Sequence, residues 1–292
     1  MSEDFVIATA STADLEREYM EQHSIPFIPY TFVIDGKVYE DDCRESTKKE
    51  LYEKMRNGSL PSTAQIPEFN YYEFFKSLAE QGKDVMFMDM SRAISNSFNN
   101  AELAAAKIRR EFPDHRFHVV DTRSITAGLA MLVEHVVAQK ESGASFEECV
   151  RFAEEHKLHI MHHFMVDDLS WLRRGGRLSN AAATVGTLLN IKPILYVTDE
   201  GTLLSSAKVR GKKQALLQMV KSMKKDIGNP DGKEVFIYHA DCLQDAWFLS
   251  DHIQKTYPKI GKITIRTEGP TIGCHVGPGF VCLVYVGEGR FF

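Results

Sequence analysis

The segment around Ser95 has the composition of an anion-binding loop. In MSRAISNSFNNAELAAAK, the hydroxyl groups of Ser91, Ser95 and Ser97 follow an apolar run and precede an alanine-rich stretch with helical spacing. A helix amino end offers unpaired N–H groups and a positive dipole end, and ligands of open α/β sheets bind beyond the carboxyl ends of strands. The segment therefore predicts a carboxylate or phosphate site. The alternative, which spacing alone favours, is that one serine caps the helix.

Two further segments carry hydroxyl or imidazole groups. LPSTAQIPEF places Ser62 and Thr63 in a proline-flanked turn, where hydroxyl groups commonly stabilise the turn itself. EGPTIGCHVGPGF holds His275 between glycines, which let the backbone approach a ligand, and an imidazole can donate to an anion. A tight connection between the last two strands, with His275 bonded to a backbone carbonyl, explains this segment equally well.

Hydrophobic periodicity predicts an α/β fold for the first part of the chain. Short β-rich runs alternate with amphipathic helices, which is typical of parallel βαβ units. One complete unit comprises a strand at Asp84–Met90, a helix at Asn96–Phe112 and a strand at Phe117–Val120. The other predicted elements are a strand at Phe5–Ala8, a hairpin over Ile25–Tyr39, helices at Thr12–His23, Thr47–Arg56, Glu68–Gln81 and Ile125–Lys140, and a helix opened by a capping box of Ser145 and Glu148.

The pattern changes near residue 160, and 292 residues exceed the usual size of one hydrophobic core. We predict two tightly packed domains, an N-terminal parallel-sheet α/β domain over residues 1–160 and a C-terminal α+β domain over residues 161–292. The predicted elements of the second domain are a strand pair within Lys192–Val209, helices at Lys212–Ile227 and Gln244–Tyr257, and strands at Val235–His239, Ile263–Thr267 and Phe280–Val286.

Composition excludes several classes of protein. A net charge of -5 argues against a nucleic-acid-binding protein, because such affinity rests on neutralising phosphates. The five cysteines are scattered without CxxC spacing, so they predict neither a disulfide framework nor a zinc site. Without a signal-like amino end or an apolar run of about 20 residues, the sequence predicts a cytoplasmic protein.

A metal site and a hydrolase site are the competing interpretations. His159, His162, His163, Asp167 and Asp168 supply ligand types, but the β-like run HIMHHFMV sends neighbouring side chains to opposite faces. An exposed or inter-domain polar strand is the expectation there.

The hydrolase or acyltransferase hypothesis uses Ser95 with His275. The sequence has no Gly-x-Ser-x-Gly elbow and no marked acid to orient the histidine. A Cys274–His275 pair is disfavoured because adjacent side chains on an extended backbone point apart.

Eight ordered segments span most of the chain and together resemble one family. They are STADL (Ser11–Leu15), PSTAQ (Pro61–Gln65), SRAISNS (Ser91–Ser97), VVDTRSITAGL (Val119–Leu129), LRRGGRLS (Leu172–Ser179), LLNIKPIL (Leu188–Leu195), KVRGKKQAL (Lys208–Leu216) and GPTIGCHVGPG (Gly269–Gly279). The chain resembles the DegV family of bacterial fatty-acid-binding proteins, which includes the binding subunit of fatty acid kinase.

The resemblance implies a two-domain fold with an acyl chain in a tunnel between the domains. It implies that Thr63, Ser95 and His275 hold the carboxylate, and we expect Asn96 and Gly273 of the same elements to bind it as well. The expected ligand is a long-chain fatty acid such as palmitate, stearate or oleate, with no cofactor. Three positions depart from the family pattern: Ala10 stands for an aspartate, Ala64 for a serine and Asn96 for a glycine.

Two basic clusters remain, one of Arg173, Arg174 and Arg177 and one of Lys208, Arg210, Lys212 and Lys213. Charge runs are usually solvated faces. Because kinase-associated family members present their fatty acid to a phosphorylating partner, one cluster is a candidate docking surface for the catalytic subunit of a fatty acid kinase. Membrane contact is expected to be transient only.

Overall fold

The computed structural model describes residues 4–177 and 190–290. Leu178, Ser179, Leu188 and Leu189 of the family segments lie outside the described residues. The helices and strands before residue 160 are β1 (Phe5–Ala10), α1 (Arg17–Gln22), β2 (Phe27–Ile28), β3 (Thr31–Ile34), β4 (Lys37–Glu40), α2 (Glu45–Arg56), β5 (Ser62–Ala64), α3 (Glu68–Ala79), β6 (Asp84–Asp89), α4 (Ser97–Glu111), β7 (Phe117–Asp121), α5 (Ala127–Glu141) and α6 (Phe146–His156).

The first sheet is parallel, with strand order β2-β1-β6-β7. Every residue of β1 is buried, as expected for a strand whose two faces are both covered. The predicted unit of strand, helix and strand is confirmed as β6, α4 and β7. The capping box that opens α6 is confirmed as well, since Ser145 and Glu148 exchange both bonds.

The predicted hairpin is confirmed as β3 and β4, and Asp35 and Gly36 have φ of 54° and 72° at its turn. The expected turn at Ser62–Ala64 is instead a third strand, β5, in which Thr63 pairs with Phe32 of β3. A three-residue strand is too short to give a periodic signal. The first helix begins only at Arg17, because the backbone of Asp14 is left-handed with φ of 52°.

The elements from residue 160 onwards are β8 (Ile160–Met165), α7 (Ser170–Arg174), β9 (Ile191–Val197), β10 (Leu203–Arg210), α8 (Lys212–Asp226), β11 (Val235–His239), α9 (Leu243–Thr256), β12 (Ile263–Thr267), α10 (Pro270–Val276) and β13 (Val281–Val286). The second sheet has strand order β10-β9-β8-β13-β11-β12 and is mostly antiparallel, with β11 and β12 parallel. All of β8 is buried in the interior of this sheet, so of the two expectations for this segment the exposed polar strand is wrong.

The glycine-rich segment before the last strand forms a helix, α10, where a tight connection was one expectation. Pro270 occupies its first turn, where a missing N–H costs little, and Gly277 ends it with φ of 72°. None of the helices in residues 4–177 and 190–290 is both long and apolar enough to cross a membrane. The domain boundary at residue 160 stays a prediction.

A buried polar cluster joins α10 and the end of β12 to the first sheet. Asp14, Asp41 and Glu268 are all at most 1% exposed. Lys48 is buried beside them and donates to the carbonyl of Thr267 at 2.9 Å. Burial raises the pKa of Asp14 and that of Glu268, and burial with the charge of Asp14 raises the pKa of Asp41 to about 7. The cluster therefore retains protons at neutral pH.

We expect Glu268→Gln to stabilise the fold at pH 8. The folded Glu268 has a raised pKa, so stability is lost as pH rises from the ordinary value of 4.5 towards the folded value. Glutamine keeps the shape without the ionisation cost, and Tm at pH 8 should rise by roughly a few degrees. Thermal unfolding between pH 5 and pH 8 measures this, with the exposed Glu80→Gln as control. An equal fall of Tm with pH in both variants would contradict it.

Candidate ligand-binding site

A cavity of about 210 Å³ lies between the two sheets, far larger than a packing defect. Its wall combines eleven apolar residues with nine polar ones. Small-molecule sites usually combine an apolar wall with polar groups that orient the ligand. The cavity is lined by Tyr30, Thr63, Ala64, Gln65, Met90, Ile94, Ser95, Ile125, Thr126, His162, Phe164, Leu172, Arg177, Leu203, Thr271, Ile272, His275, Val276, Phe280 and Cys282.

Thr63 and His275 meet in this cavity. Strand β5 holds Thr63 beside β3, and α10 presents His275, so that Thr63 Oγ1 and His275 Nε2 are 2.8 Å apart. Burial, reinforced by the charge of Arg177, lowers the pKa of His275 to about 4. The imidazole is therefore neutral at pH 7. Its Nδ1 is buried and has no hydrogen-bond partner among the described residues.

Glycine is required where the chain passes over this imidazole. A Cβ on Gly175 would lie 2.1 Å from His275 Nδ1. Any side chain at this position would displace the ring from Thr63. The glycine between α7 and Arg177 thus fixes the position of the imidazole by close approach of the backbone.

Ser95 lies at the start of α4, 5% exposed, with its hydroxyl in the cavity wall. Its Oγ accepts the N–H of Ser97 at 3.3 Å and lies 3.5 Å from the hydroxyl of Tyr30. The helix-capping and the ligand-binding interpretations of Ser95 are therefore compatible. One lone pair accepts the N–H at the helix end, and the hydroxyl proton remains available to a ligand. Ser91, on the same loop, instead donates to the carbonyl of Gly201 at 3.0 Å.

Arg177 is the one permanently charged side chain among the described cavity-lining residues. It donates to the carbonyls of Gly175 at 2.6 Å and Ile94 at 3.3 Å, which holds the guanidinium half-buried near His275. Sequence reasoning grouped Arg177 with Arg173 and Arg174 as a docking cluster. The structure separates it from them and gives the polar end of the cavity a positive charge.

Sequence reasoning also missed five polar residues of the cavity wall, which are Tyr30, Gln65, Thr126, His162 and Thr271. His162 was considered only as a metal ligand, yet it is 2% exposed and its Nε2 has no partner among the described residues. Burial lowers its pKa well below the usual value, so the ring is neutral. Gln65, Thr126 and Thr271 lie within family segments, which could have indicated them. Tyr30 and His162 lie outside those segments and reach the cavity only through tertiary packing.

Two residues predicted to bind the ligand do not line the cavity. Asn96 is exposed and its Oδ1 accepts the side-chain amide of Asn99 at 2.5 Å. Gly273 is packed against Tyr52, whose hydroxyl would lie 2.5 Å from a Cβ at that position. Their roles in ligand binding stay predictions, and no contact with the cavity supports them.

The remaining basic residues lie on the surface. Arg173, Arg174 and Arg210 are exposed, and Arg174 stacks on the ring of Trp171 at 4.6 Å. Lys212, by contrast, forms an ion pair with Asp245 at 2.5 Å.

The groupings required by the alternative sites are not formed. Ser95 and His275 each bond to other partners, and the Nδ1 of His275 is bonded to no carboxylate in the part of the chain that the structure describes. His162 and His163 point to opposite faces of β8, and His163 bonds to Tyr285 at 2.8 Å on the face that packs against α8 and α9. Within residues 4–177 and 190–290 no group of three or more His, Cys, Asp or Glu side chains is arranged to hold a metal ion.

Comparison with known sequences identifies the family. A sequence model described as "Uncharacterised protein, DegV family" matches residues 4–288. The chain belongs to the DegV family. A DegV domain-containing protein of Clostridium perfringens is 36% identical over 285 residues, which cover 97% of this chain and 98% of that protein.

Solved structures of DegV proteins share this fold. A fatty-acid-binding DegV protein from Thermus thermophilus has a TM-score of 0.87 at 26% identity, covering 98% of this chain and 100% of that chain. The fatty acid kinase B3 protein of Streptococcus pneumoniae, loaded with linoleic acid, has a TM-score of 0.83 at 23% identity, covering 98% and 99%. The predicted two-domain α/β and α+β architecture of a DegV protein is thereby confirmed.

We expect Arg177→Met to raise the pKa of His275. The guanidinium opposes protonation of the ring, so its removal should move the titration from about 4 towards the ordinary value, while burial keeps it below that value. NMR titration of the ring proton measures this shift. Arg174→Met, which removes an exposed arginine stacked on Trp171, is the matched control, and an equal titration in both variants would show that Arg177 exerts no effect.

Proposed function

We propose that the cavity binds a single long-chain fatty acid in a tunnel between the two domains, with Thr63, Ser95 and His275 holding its carboxylate. The observation that carries this proposal is the convergence of these three side chains on one apolar-walled cavity. They come from β5, the start of α4 and α10, and only the family resemblance had united them in one site. The family's fatty-acid-binding members support the choice of ligand.

The polar end of the cavity meets the requirements of a buried carboxylate. An ionised carboxylate without partners is costly to bury, whereas hydroxyl donors and a nearby cation offset that cost. Ser95 and Thr63 supply hydroxyl groups and neutral His275 supplies a ring nitrogen. Arg177, which the family resemblance did not include in this role, supplies the charge.

The apolar wall provides most of the affinity. Burying about 15 methylenes at about 0.8 kcal/mol each gives on the order of 12 kcal/mol before the costs of association. Met90, Phe164, Leu203 and Phe280 line the cavity from both sheets and the elements beside them. Palmitate, stearate or oleate would suit such a site, and the polar groups then give orientation more than affinity.

We expect Ser95→Ala to keep the fold and to weaken fatty-acid retention. Loss of one hydrogen bond to a charged group costs about 1.5–3 kcal/mol, which corresponds to roughly 10- to 100-fold in affinity. Native mass spectrometry of the purified chain, followed by lipid extraction and a palmitate titration, measures the change.

Ser91→Ala is the matched control, because Ser91 is buried on the same loop but bonds to Gly201. It should retain lipid like the unmodified chain. Undiminished binding by Ser95→Ala would return Ser95 to a helix-capping role. A chain that carries no lipid and binds no palmitate would refute the proposed function.

We further propose that the protein presents its bound fatty acid to the catalytic subunit of a fatty acid kinase. The support is the structural likeness to the fatty acid kinase B3 protein and the exposure of Arg173, Arg174 and Arg210. Exposed arginines can steer an acidic partner and stabilise a developing acyl phosphate.

Charge reversal at Arg173 and Arg210 should reduce kinase-dependent phosphorylation of the bound fatty acid at least tenfold while leaving palmitate affinity unchanged. The readout is acyl phosphate formation with a purified kinase subunit. Arg110→Glu, an exposed arginine on α4, is the control for net charge. Equal turnover in all variants would remove these arginines from the docking surface.

A further inference from the structure

His162 places an unpaired nitrogen in the wall of the cavity. The side chain is 2% exposed and lines the cavity from β8. Its neighbours on that face of the sheet are Ile160 and Phe164 along the strand and Val284 directly opposite on β13, and all three are apolar. Its Nε2 has no hydrogen-bond partner among the described residues. A buried polar atom in such surroundings costs free energy unless a partner reaches it.

The contacts of the ring determine which of its nitrogens carries the proton. Nδ1 lies 3.1 Å from the carbonyl oxygen of Ile160, which can only accept, so Nδ1 donates and Nε2 keeps a lone pair. The opposite tautomer would set two acceptors against each other at that distance. The carbonyl of Ile125, a further backbone acceptor near the ring, already accepts the N–H of Gly128 at 3.0 Å.

The surroundings of His162 also keep the ring neutral. The carbonyl of Ile160 accepts Nε of Arg290 at 3.1 Å as well, so a permanent positive charge lies beside the imidazole. Burial, together with this charge, lowers the pKa of His162 well below its usual value. Nε2 is therefore an acceptor, and only a group that donates a hydrogen bond can satisfy it.

The cavity reaches this nitrogen at the start of α5. Gly128 lies against the ring, since a Cβ at this position would be 1.8 Å from Nε2, and any other residue would cover the atom. Ile125 and Thr126, which lead into this first turn of α5, line the cavity as His162 does. A ligand that fills the cavity at this turn therefore comes within reach of Nε2.

His162 is held by other elements than the proposed carboxylate group. Thr63, Ser95 and His275 come from β5, the start of α4 and α10, whereas His162 lies between β8, β13 and the first turn of α5. The cavity wall thus carries an acceptor in addition to the groups proposed for the carboxylate. An unsubstituted acyl chain would cover this acceptor and leave it without a donor.

We propose that His162 forms a second polar subsite, in which Nε2 accepts a hydrogen bond from a hydroxyl group on the acyl chain, so that the cavity selects a hydroxy fatty acid. This inference rests on the proposed function of the cavity and deepens it by naming the class of fatty acid.

The chemistry of Nε2 restricts the substituent that the chain can carry. A hydroxyl group is neutral and can donate to the lone pair. A keto or ether oxygen only accepts, a double bond has no donor, and an ammonium group is costly to bury. The subsite should therefore distinguish chains by the presence and the position of one hydroxyl group.

The experiment measures the affinity of the lipid-free full chain for stearate and for a set of monohydroxystearates whose hydroxyl group is moved stepwise along the chain. One isomer should bind about tenfold more tightly than the others, because only its hydroxyl group meets Nε2 while the others are buried without a partner. A ketostearate with its oxygen at the favoured position should bind about tenfold more weakly than that isomer.

Two variants on the same face of β8 assign the preference to His162. His162→Leu removes the acceptor, so it should weaken binding of the favoured isomer about tenfold and leave stearate bound at least as tightly as before. The carbonyl of Ile160 keeps Arg290 as a donor in this variant. Phe164→Leu is the matched control, because it changes the cavity wall without changing its polar groups. It should alter the affinities for stearate and for the favoured isomer by the same factor.

A measurement on the unmodified protein covers the case that His162→Leu does not fold. Nitrogen NMR should show a change in the Nε2 resonance of His162 when the favoured isomer replaces stearate. Equal affinities for all monohydroxystearates with an unchanged resonance would overturn the inference and leave fatty-acid binding intact, with Nε2 served by water only. A preference that persists in His162→Leu would overturn it as well. A chain that binds neither stearate nor any hydroxystearate would overturn the proposed function, and this inference with it.

Discussion

The hydrogen bond between Thr63 and His275 joins segments 212 residues apart, and the geometry of the site depends on it. It requires β5 to pair beside β3, α10 to form in a glycine-rich segment, and the backbone at Gly175 to pass directly over the imidazole. Each condition is met by a different part of the chain. The bond therefore depends on contacts between distant parts of the chain.

Burial sets the protonation states of the titratable side chains in the interior of the protein. It keeps His275 and His162 neutral, and it raises the pKa of Glu268. The cavity therefore offers hydroxyl groups and neutral rings to the proposed ligand, with Arg177 as the nearby charge. Net charge is kept low around the cavity because ionised groups lose hydration there more than they gain from partners.

The exposure of surface arginines could be inferred from the sequence, whereas the position of a cavity-lining arginine could not. Arg173 and Arg174 are exposed, as expected of a charge run, whereas Arg177, three residues further along, turns towards the cavity and bonds to two backbone carbonyls. Nearby arginines look equivalent in a sequence, because the sequence does not show in which direction each side chain points. The turn at Gly175 and Gly176 after α7 separates them, and such a turn is fixed by packing.

Local sequence patterns predicted the class of fold, most strands and helices to within a few residues, and the three segments that meet at the cavity, because hydrophobic periodicity and capping residues are local. Thr63, Ser95 and His275 were united only by family resemblance. Tertiary structure alone decided that β5 is a strand, that α10 is a helix, and that Tyr30, His162 and Arg177 share the cavity wall. These features depend on contacts between residues far apart in the chain, and local spacing carries no information about them.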